Sequence, residues 1–130
     1  MRLRFLLMCA AVCLCAVINA TGQDAAKVDP KHYKVEIDNP QVRVVRIHYG
    51  PHERSVMHSH PNSVVVYLTD GKIRMHLPDG KTQDASAKKG ATAYLPASVH
   101  DPENIGDQPF ELIQVELKSP KATGAVAKKQ

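Results

Sequence analysis

Cysteine is scarce in this chain of 130 residues and is confined to the N-terminal part, where it occurs at Cys9, Cys13 and Cys15. If the first 20 residues are removed as a leader, the remaining protein has no disulfide, no thiolate metal ligand and no cysteine nucleophile. A protein without cysteine also suits an oxidising compartment, where a free thiol is a liability.

The chain also lacks an apolar run long enough for a comfortable membrane span, which needs about 20 residues. The apolar run from Phe5 to Ile18 is shorter; it follows Arg2 and Arg4 and ends in Asn19-Ala20-Thr21-Gly22. A basic start, a short apolar run and small residues are typical of a secretory signal peptide. We therefore predict a signal peptide over residues 1–20, cleaved after Ala20 or Gly22, and export to the periplasm or the outside, without a stable membrane anchor. An uncleaved anchor is the alternative.

The sequence has no marked excess of charge of one sign. The formal charge of +4 falls to +2 without residues 1–20, because these contain two arginines and no acid and leave 15 basic against 13 acidic residues. There is no basic stripe with interleaved aromatics, no helix-turn-helix pattern and no phosphate loop. A nucleic-acid partner is therefore not expected.

The middle of the chain has the pattern of an all-β domain. Ile73, Met75 and Leu77 alternate with polar residues, residues 64–68 are mostly β-branched, and Pro78-Asp79-Gly80-Lys81 is a strong hairpin signal. Short strands at this spacing predict a sandwich or barrel. We predict a flexible lead-in over residues 21–34, a barrel over 35–118 and a disordered tail over 119–130.

Three histidines stand out as candidate metal ligands. His58 and His60 are two residues apart in a strand-like stretch, so both imidazoles can project from the same face. The pair is weak evidence by itself. The signal strengthens at His100, which follows a predicted strand and a turn at residues 94–99.

In these segments the chain resembles the cupin superfamily, over roughly residues 42–117. Its first motif has His-x-His, then three or four residues and Glu, and ends in Gly; its second has Gly, Pro, His and Asn in order. The matching positions are His58, His60, Gly71, Gly90, Pro96, His100 and Asn104. The resemblance implies a jelly-roll β-barrel in which His58, His60 and His100 bind a divalent metal.

Two departures from the family pattern affect the expected chemistry. His52 stands where the first motif begins with glycine, and Val64 stands at the glutamate position. Because Val64 has the same strand parity as His60, we expect it to face the interior, with Val66 and Leu68 beside it in an apolar wall. A fourth protein ligand is then absent.

Three neutral imidazoles leave the charge of the ion uncompensated, so open positions should take water, hydroxide or an anionic chelating molecule. Imidazole ligands suit Fe, Ni, Cu, Co or Zn better than Mg or Ca. A barrel without metal is the alternative.

The other histidines and some polar residues receive more ordinary interpretations. His76 should be solvated, His48 and His52 should lie on the surface or in a loop, and His32 falls in the lead-in. Tyr67 should serve in packing, and Tyr94 should line the mouth of the pocket. Gln114 should point inward as a hydrogen-bond partner of a metal ligand, and Asn104 should brace the loop after His100. Glu103 replaces the missing carboxylate only if its loop folds back, and Glu53 and Tyr94 are weak candidates for a general acid or base.

The leading functional hypothesis is a metal-dependent, oxygenase-like enzyme acting on a small anionic or enol-type organic molecule. A non-catalytic periplasmic module that binds a small molecule or metal, and a purely structural barrel, are the alternatives. The expected partners are that small molecule and a second copy of the chain, which would form a homodimer through an exposed sheet edge in residues 42–49.

Overall fold

A computed structural model describes residues 22–120. This part of the chain contains one short helix and nine strands. Their bounds are α1 Ala25–Val28, β1 Tyr33–Asp38, β2 Val42–Tyr49, β3 His58–His60, β4 Ser63–Tyr67, β5 Gly71–His76, β6 Thr82–Ala87, β7 Thr92–Leu95, β8 Ser98–Asn104 and β9 Phe110–Leu117. The predicted signal peptide lies outside the described residues, as does the predicted tail beyond residue 120.

The strands form two antiparallel sheets, which confirms the predicted all-β jelly roll. The five-stranded sheet has the order β1-β2-β9-β4-β7 and the four-stranded sheet the order β3-β8-β5-β6. The predicted hairpin joins β5 to β6, where Gly80 adopts φ +81° and the Asp79 side chain accepts a hydrogen bond from the Lys81 amide. Glycine suits this turn because side-chain-bearing residues rarely adopt a positive φ.

The core lies between the two sheets and follows the alternation of the long strands. On β2 the inward residues are Val45, Ile47 and Tyr49, and Phe110 and Leu112 on the neighbouring β9 lie beside them on the same inner face. Fully burying each of the aliphatic side chains contributes about 1.5–3 kcal/mol relative to leaving it in water.

The chain changes sheets between β3 and β4, and this corrects the expected direction of Val64. Pro61 and Asn62 form the corner, where the Asn62 carbonyl accepts from the Leu117 amide. The corner shifts the alternation, so Ser63 and Val65 are fully buried while Val64 lies on the outer face. With the four-residue spacing of the family motif, Val65 is the residue at the glutamate position.

The expected edge in Val42–Tyr49 is also wrong. Strand β2 is paired on both sides, with β1 and with β9. The strand that forms this end of the sheet is β1, where a register shift between Val35 and Ile37 interrupts the ladder. A bulge of this kind makes an edge a poorer template for pairing, and the homodimer stays a prediction.

The segment expected to be a flexible lead-in is folded onto the barrel from residue 22. Asp24 caps α1 by accepting from the Ala26 amide, and Ala25 is buried. The Gln23 carbonyl accepts from the Ser59 amide, which ties the segment to β3. The polar composition of the segment hid these contacts, because its stability comes from packing on distant strands.

Within residues 22–120, no helix is long and apolar enough to cross a membrane.

Candidate metal centre

The three predicted histidines come together at one end of the space between the sheets. His58 and His60 occupy alternate positions of β3, and His100 on β8 lies directly opposite His58 in the ladder. The ring centroids are 4.8 Å apart for His58 and His60, 5.1 Å for His58 and His100, and 5.4 Å for His60 and His100. One nitrogen from each ring lies within 4.8 Å of the others.

Hydrogen bonds to the second ring nitrogen orient two of these imidazoles. His58 Nδ1 lies 2.7 Å from the Val56 carbonyl oxygen, and His60 Nδ1 lies 2.7 Å from Glu116 Oε1. Because a carbonyl oxygen or a carboxylate accepts from a protonated nitrogen, this network assigns the Nδ1–H tautomer to both rings. Nε2 is then the nitrogen of each ring that is left to bind a metal.

The environment keeps two of the rings neutral. Burial, and then the charge of His60, lowers the pKa of His58 to about 4. Burial, and then the charges of His60 and His58, lowers the pKa of His100 to about 3. A neutral imidazole is the form that binds a metal, so both rings have a free lone pair near neutral pH.

Glu116 is a functional candidate that the sequence interpretation missed. It is 2% exposed, and its Oε2 accepts from Arg43 Nε at 2.6 Å while Oε1 accepts from His60. Arg43 also binds Asp24 on the N-terminal segment. Burial alone would raise the pKa of Glu116, but its hydrogen bonds with His60 and Arg43 hold that pKa below its ordinary value. The signal was present, because Glu116 shares the strand parity of the inward Gln114.

Two tyrosines reach the same centre from the five-stranded sheet. The Tyr33 hydroxyl lies 3.0 Å from His58 Nε2 and is hydrogen-bonded to the Tyr49 hydroxyl. Burial, and then the neighbouring Tyr49, raises the pKa of Tyr33 well above its usual range. Tyr33 was missed because it lies in the segment expected to be a lead-in.

His32 does not lie in a flexible lead-in but anchors this segment. Its ring stacks on Tyr49 with centroids 4.5 Å apart. Its Nδ1 lies 2.7 Å from Asp29 Oδ2 and its Nε2 lies 3.1 Å from Glu53 Oε2. Asp29 also accepts from the Ser55 hydroxyl at 2.5 Å. These bonds tie the segment before Tyr33 to the loop before His58.

Two of the three histidines border an interior cavity of about 70 Å³. His60, His100 and both tyrosines line one part of it, and the rest is mainly apolar. No lysine, arginine, aspartate or glutamate of residues 22–120 lines it. The space is enough for a few water molecules or a small organic molecule, because one water molecule needs about 10–15 Å³ of such a cavity.

Several expected wall positions are corrected by this cavity. Tyr67, which was expected only to pack, lines it, and Val65 lines it in place of the expected Val64, Val66 and Leu68. Tyr94 is 59% exposed and does not line the cavity. Gln114 points inward as expected, but its amide donates to Ser63 at 3.0 Å and not to a histidine.

The remaining candidates lie away from the cavity lining. His76 and Glu103 are bonded to each other at 2.7 Å, so Glu103 does not replace the missing carboxylate. Asn104 braces its loop as expected, with its amide donating to the Gly50 and Gln108 carbonyls. His48 is exposed, and His52 is an exposed loop residue at φ 58°.

Glu53 is engaged outside the cavity. A hydrogen bond from Lys31, followed by those of the Gly50 amide and His32, lowers its pKa to about 2. It is therefore an ionised structural carboxylate, and not the general acid or base considered from the sequence.

The donor set fits a transition-metal ion. The described residues bring together three imidazole nitrogens without a thiolate, and a carboxylate orients one imidazole instead of joining the cluster. These are features of sites for Fe, Ni, Cu, Co or Zn. Among the described residues, no aspartate or glutamate joins the three histidines in the cluster.

Comparisons with known proteins agree with this architecture. The Cupin domain family profile matches residues 45–116, which is more than half of the chain. A search of curated protein sequences gives no match.

Solved structures with the same fold include a cupin domain from Bordetella pertussis Tohama I, 27% identical over 67% of this chain and 92% of that one, with a TM-score of 0.63. A conserved protein with a double-stranded β-helix domain from Klebsiella pneumoniae is 25% identical over 65% and 74%, with a TM-score of 0.52. The Bacillus subtilis oxalate decarboxylase, which has Mn(II) centres, is 22% identical over 70% of this chain and 27% of that one, with a TM-score of 0.51, and this likeness shows the fold alone. Together with the histidine positions and the two-sheet topology, the family match shows that this chain belongs to the cupin family.

Proposed function

We propose that this cupin holds one divalent transition-metal ion, Fe, Ni, Cu, Co or Zn, on His58, His60 and His100 and acts as an oxygenase-like enzyme. Its substrate would be a small organic molecule with an anionic or enol-type head. The observation that carries the proposal is the meeting of these three imidazoles beside an apolar interior cavity.

The charges around the centre favour a substrate that brings a negative head. No carboxylate of the described residues is among the clustered donors, and Glu116 is already balanced by Arg43. A bound ion of this class supplies Lewis acidity and open coordination positions. Because none of the described residues that line the cavity is a lysine, arginine, aspartate or glutamate, the ion would be the main attraction for an anionic head.

The chain's own residues would orient the substrate and exclude water. Apolar side chains such as Val65, Ile73 and Leu112 surround the cavity and suit a compact carbon skeleton. Besides the histidines, the polar residues that line it are Tyr33, Tyr49, Tyr67, Ser86 and Gln114. A cavity of about 70 Å³ favours a small substrate.

A specific observation favours the second candidate, a non-catalytic binding module. Two carboxylates near the centre are engaged: Glu116 by His60 and Arg43, and Asp29 by His32 and Ser55. Both oxygens of Glu116 accept hydrogen bonds and neither carboxylate lines the cavity, so neither is placed to move a substrate proton. A module that only binds a small molecule or a metal would not need one.

We also propose that the protein works after export, in the periplasm or outside the cell. The basic and apolar N-terminal sequence and the absence of cysteine after residue 15 support this. N-terminal sequencing of the protein from the producing cells tests it: a start at Thr21 or Gln23 supports export, and an intact Met1 in the cytoplasm contradicts it.

Elemental analysis of the exported protein, purified without a histidine tag, tests the metal centre. We expect about one ion per chain in the wild type and almost none in the double variant His58→Ala, His100→Ala. The exposed His48 provides the matched control, since His48→Ala should keep the ion. A wild type without metal, or an ion retained by the double variant, contradicts the metal centre.

Oxygen uptake by the loaded protein then separates the two functions. The panel is catechols, flavonols and thiols. Uptake that needs both a substrate and the bound ion supports an oxygenase. A protein that keeps its ion but consumes no oxygen with any of them supports the binding module.

A further inference from the structure

Tyr33 has a position that the ligand set alone does not explain. Its hydroxyl oxygen lies 3.0 Å from Nε2 of His58, and its ring lies 4.8 Å from that of His58 and 5.6 Å from that of His60, between centroids. Nε2 is the nitrogen that His58 has available for a metal, because Nδ1 is bonded to the Val56 carbonyl. The phenol oxygen therefore lies beside the metal-binding face of His58.

The distance between these two atoms matches that of neighbouring ligands on one ion. Nitrogen and oxygen ligands lie about 2.0–2.2 Å from a metal of this class. Two such ligands at angles between 90° and the tetrahedral value are separated by about 2.9–3.5 Å, by the same bond lengths. The observed 3.0 Å falls within this range.

The hydrogen bonds around Tyr33 have the direction that a ligand oxygen needs. Because His58 Nε2 carries no proton, the Tyr33 hydroxyl donates to it. The Tyr49 hydroxyl then donates to the Tyr33 oxygen. An ion between the histidines would take the place of the Tyr33 proton, and the bond from Tyr49 would remain to stabilise the oxygen.

The position at which cupins carry a glutamate ligand is occupied by Val65, and no described aspartate or glutamate joins the histidine cluster. We propose that Tyr33, delivered by β1, supplies the fourth protein ligand of this centre as a phenolate. This inference rests on the proposed metal centre. On binding, the oxygen–hydrogen bond of Tyr33 breaks, an oxygen–metal bond forms and the proton passes to solvent, so no oxidant or reductant is needed.

Copper(II) is the probe for this proposal, since a phenolate bound to Cu(II) gives a visible charge-transfer band that imidazole ligands do not give. One equivalent of Cu(II) is added to the exported wild-type protein and to two variants at one fixed pH. In Tyr33→Phe the proposed ligand oxygen is removed. In Tyr67→Phe the removed hydroxyl belongs to another tyrosine that lines the cavity.

We expect the band in the wild type and in Tyr67→Phe, and its loss in Tyr33→Phe, which should still hold about one copper ion. Resonance Raman spectra of the wild type, excited in the band, should show phenolate ring modes, a result that does not depend on the folding of any variant. A band that survives in Tyr33→Phe, or a wild-type copper complex without one, overturns the ligand role alone. A wild type that binds no copper overturns this role and the metal centre together.

Discussion

The two sheets contribute different things to the candidate centre. The four-stranded sheet supplies all three imidazoles, two from alternate positions of β3 and one from the directly opposite position on β8. The five-stranded sheet supplies the groups that contact them, Tyr33 from β1 and Glu116 from β9. The four-stranded sheet therefore provides the imidazoles, and the five-stranded sheet provides a carboxylate that orients one of them and a phenol that contacts another.

This division follows from separation along the chain. His58 and His60 are two residues apart, whereas Tyr33 lies 25 residues from His58 and Glu116 lies 56 residues from His60. A short motif specifies the ligand pair, and the nearby Val56 carbonyl fixes the tautomer of His58, but the tautomer of His60 depends on Glu116 from a distant strand. Orientation is thus a property of the whole fold.

The largest expected effect on stability comes from placing a carboxylate on β4 of the five-stranded sheet. Val65→Glu puts it inside the barrel at the glutamate position of the family motif. Without metal, an unpaired buried charge should lower the free energy of unfolding by on the order of 3–5 kcal/mol. A bound ion should restore this stability, which urea unfolding with and without metal measures.

The neighbouring residue provides the control for this change. Val64 lies on the outer face, so Val64→Glu should change stability by no more than about 0.5 kcal/mol and leave metal binding unaltered. If Val64→Glu, and not Val65→Glu, strengthens metal binding, the corner at Pro61 and Asn62 is wrongly placed.

The division between the sheets also marks how much the sequence could predict. Local alternation and turn signals predicted a sandwich or barrel and the pair His58 and His60, whereas the jelly roll and the addition of His100 to the pair came from the resemblance to the cupin motifs. The predicted direction of Val64 was wrong because the corner at Pro61 and Asn62 shifts the alternation of inward and outward residues. The sequence pattern does not show that corner. Glu116 was predictable in principle, since its parity follows from that of Gln114.

Tyr33 and His32 were beyond local patterns. Their segment is polar and has few apolar residues, which is typical of a flexible lead-in. In the structure it is held by particular long-range partners: the Tyr49 ring, Glu53 and Ser59. Such contacts depend on the finished barrel, which sequence periodicity does not describe.

As the pH falls, the stability that depends on the neutral histidines of the four-stranded sheet should be lost before the stability that depends on the paired carboxylates. His58 and His100 have folded-state pKa values of about 4 and about 3, below the ordinary 6.5. The unfolded chain therefore binds more protons as the pH falls below about 6.5, and stability is lost between there and about pH 4. For His58 alone this amounts to on the order of 3 kcal/mol, at about 1.4 kcal/mol per pH unit.

The pH range of this loss differs from the range in which protonation of the carboxylates lowers stability. Glu116 and Asp24 have lowered pKa values, so their contribution is present above their ordinary values of 4.5 and 3.8 and is lost only below them. Urea unfolding with a chelator from pH 7.5 to 5 checks the prediction. His100→Asn should flatten the slope, and a wild-type stability that does not change over this range contradicts it.

The smallest expected change in stability tests whether the five-stranded sheet does more than support the barrel. Glu116→Gln keeps the size and an acceptor for His60 but removes the charge that Arg43 faces. We expect a loss of about 2 kcal/mol in unfolding free energy, since hydrogen bonds to charged groups contribute about 1.5–3 kcal/mol. Metal affinity should fall about 10–100-fold, the usual cost of losing a group that orients a ligand.

Glu111 is the matched control for this change, because it lies on the same strand but pairs with Arg46 on the outer face. Glu111→Gln should leave metal affinity unchanged, since it contacts none of the three histidines. Isothermal titration with Zn²⁺ and urea unfolding of both variants provide the comparison. If Glu116→Gln loses stability but binds zinc as tightly as the wild type, the contact with His60 is purely structural and the five-stranded sheet does not tune the centre through it. If affinity falls while the far-ultraviolet circular dichroism is unchanged, the orientation of one imidazole by a carboxylate 56 residues away is itself part of the metal centre.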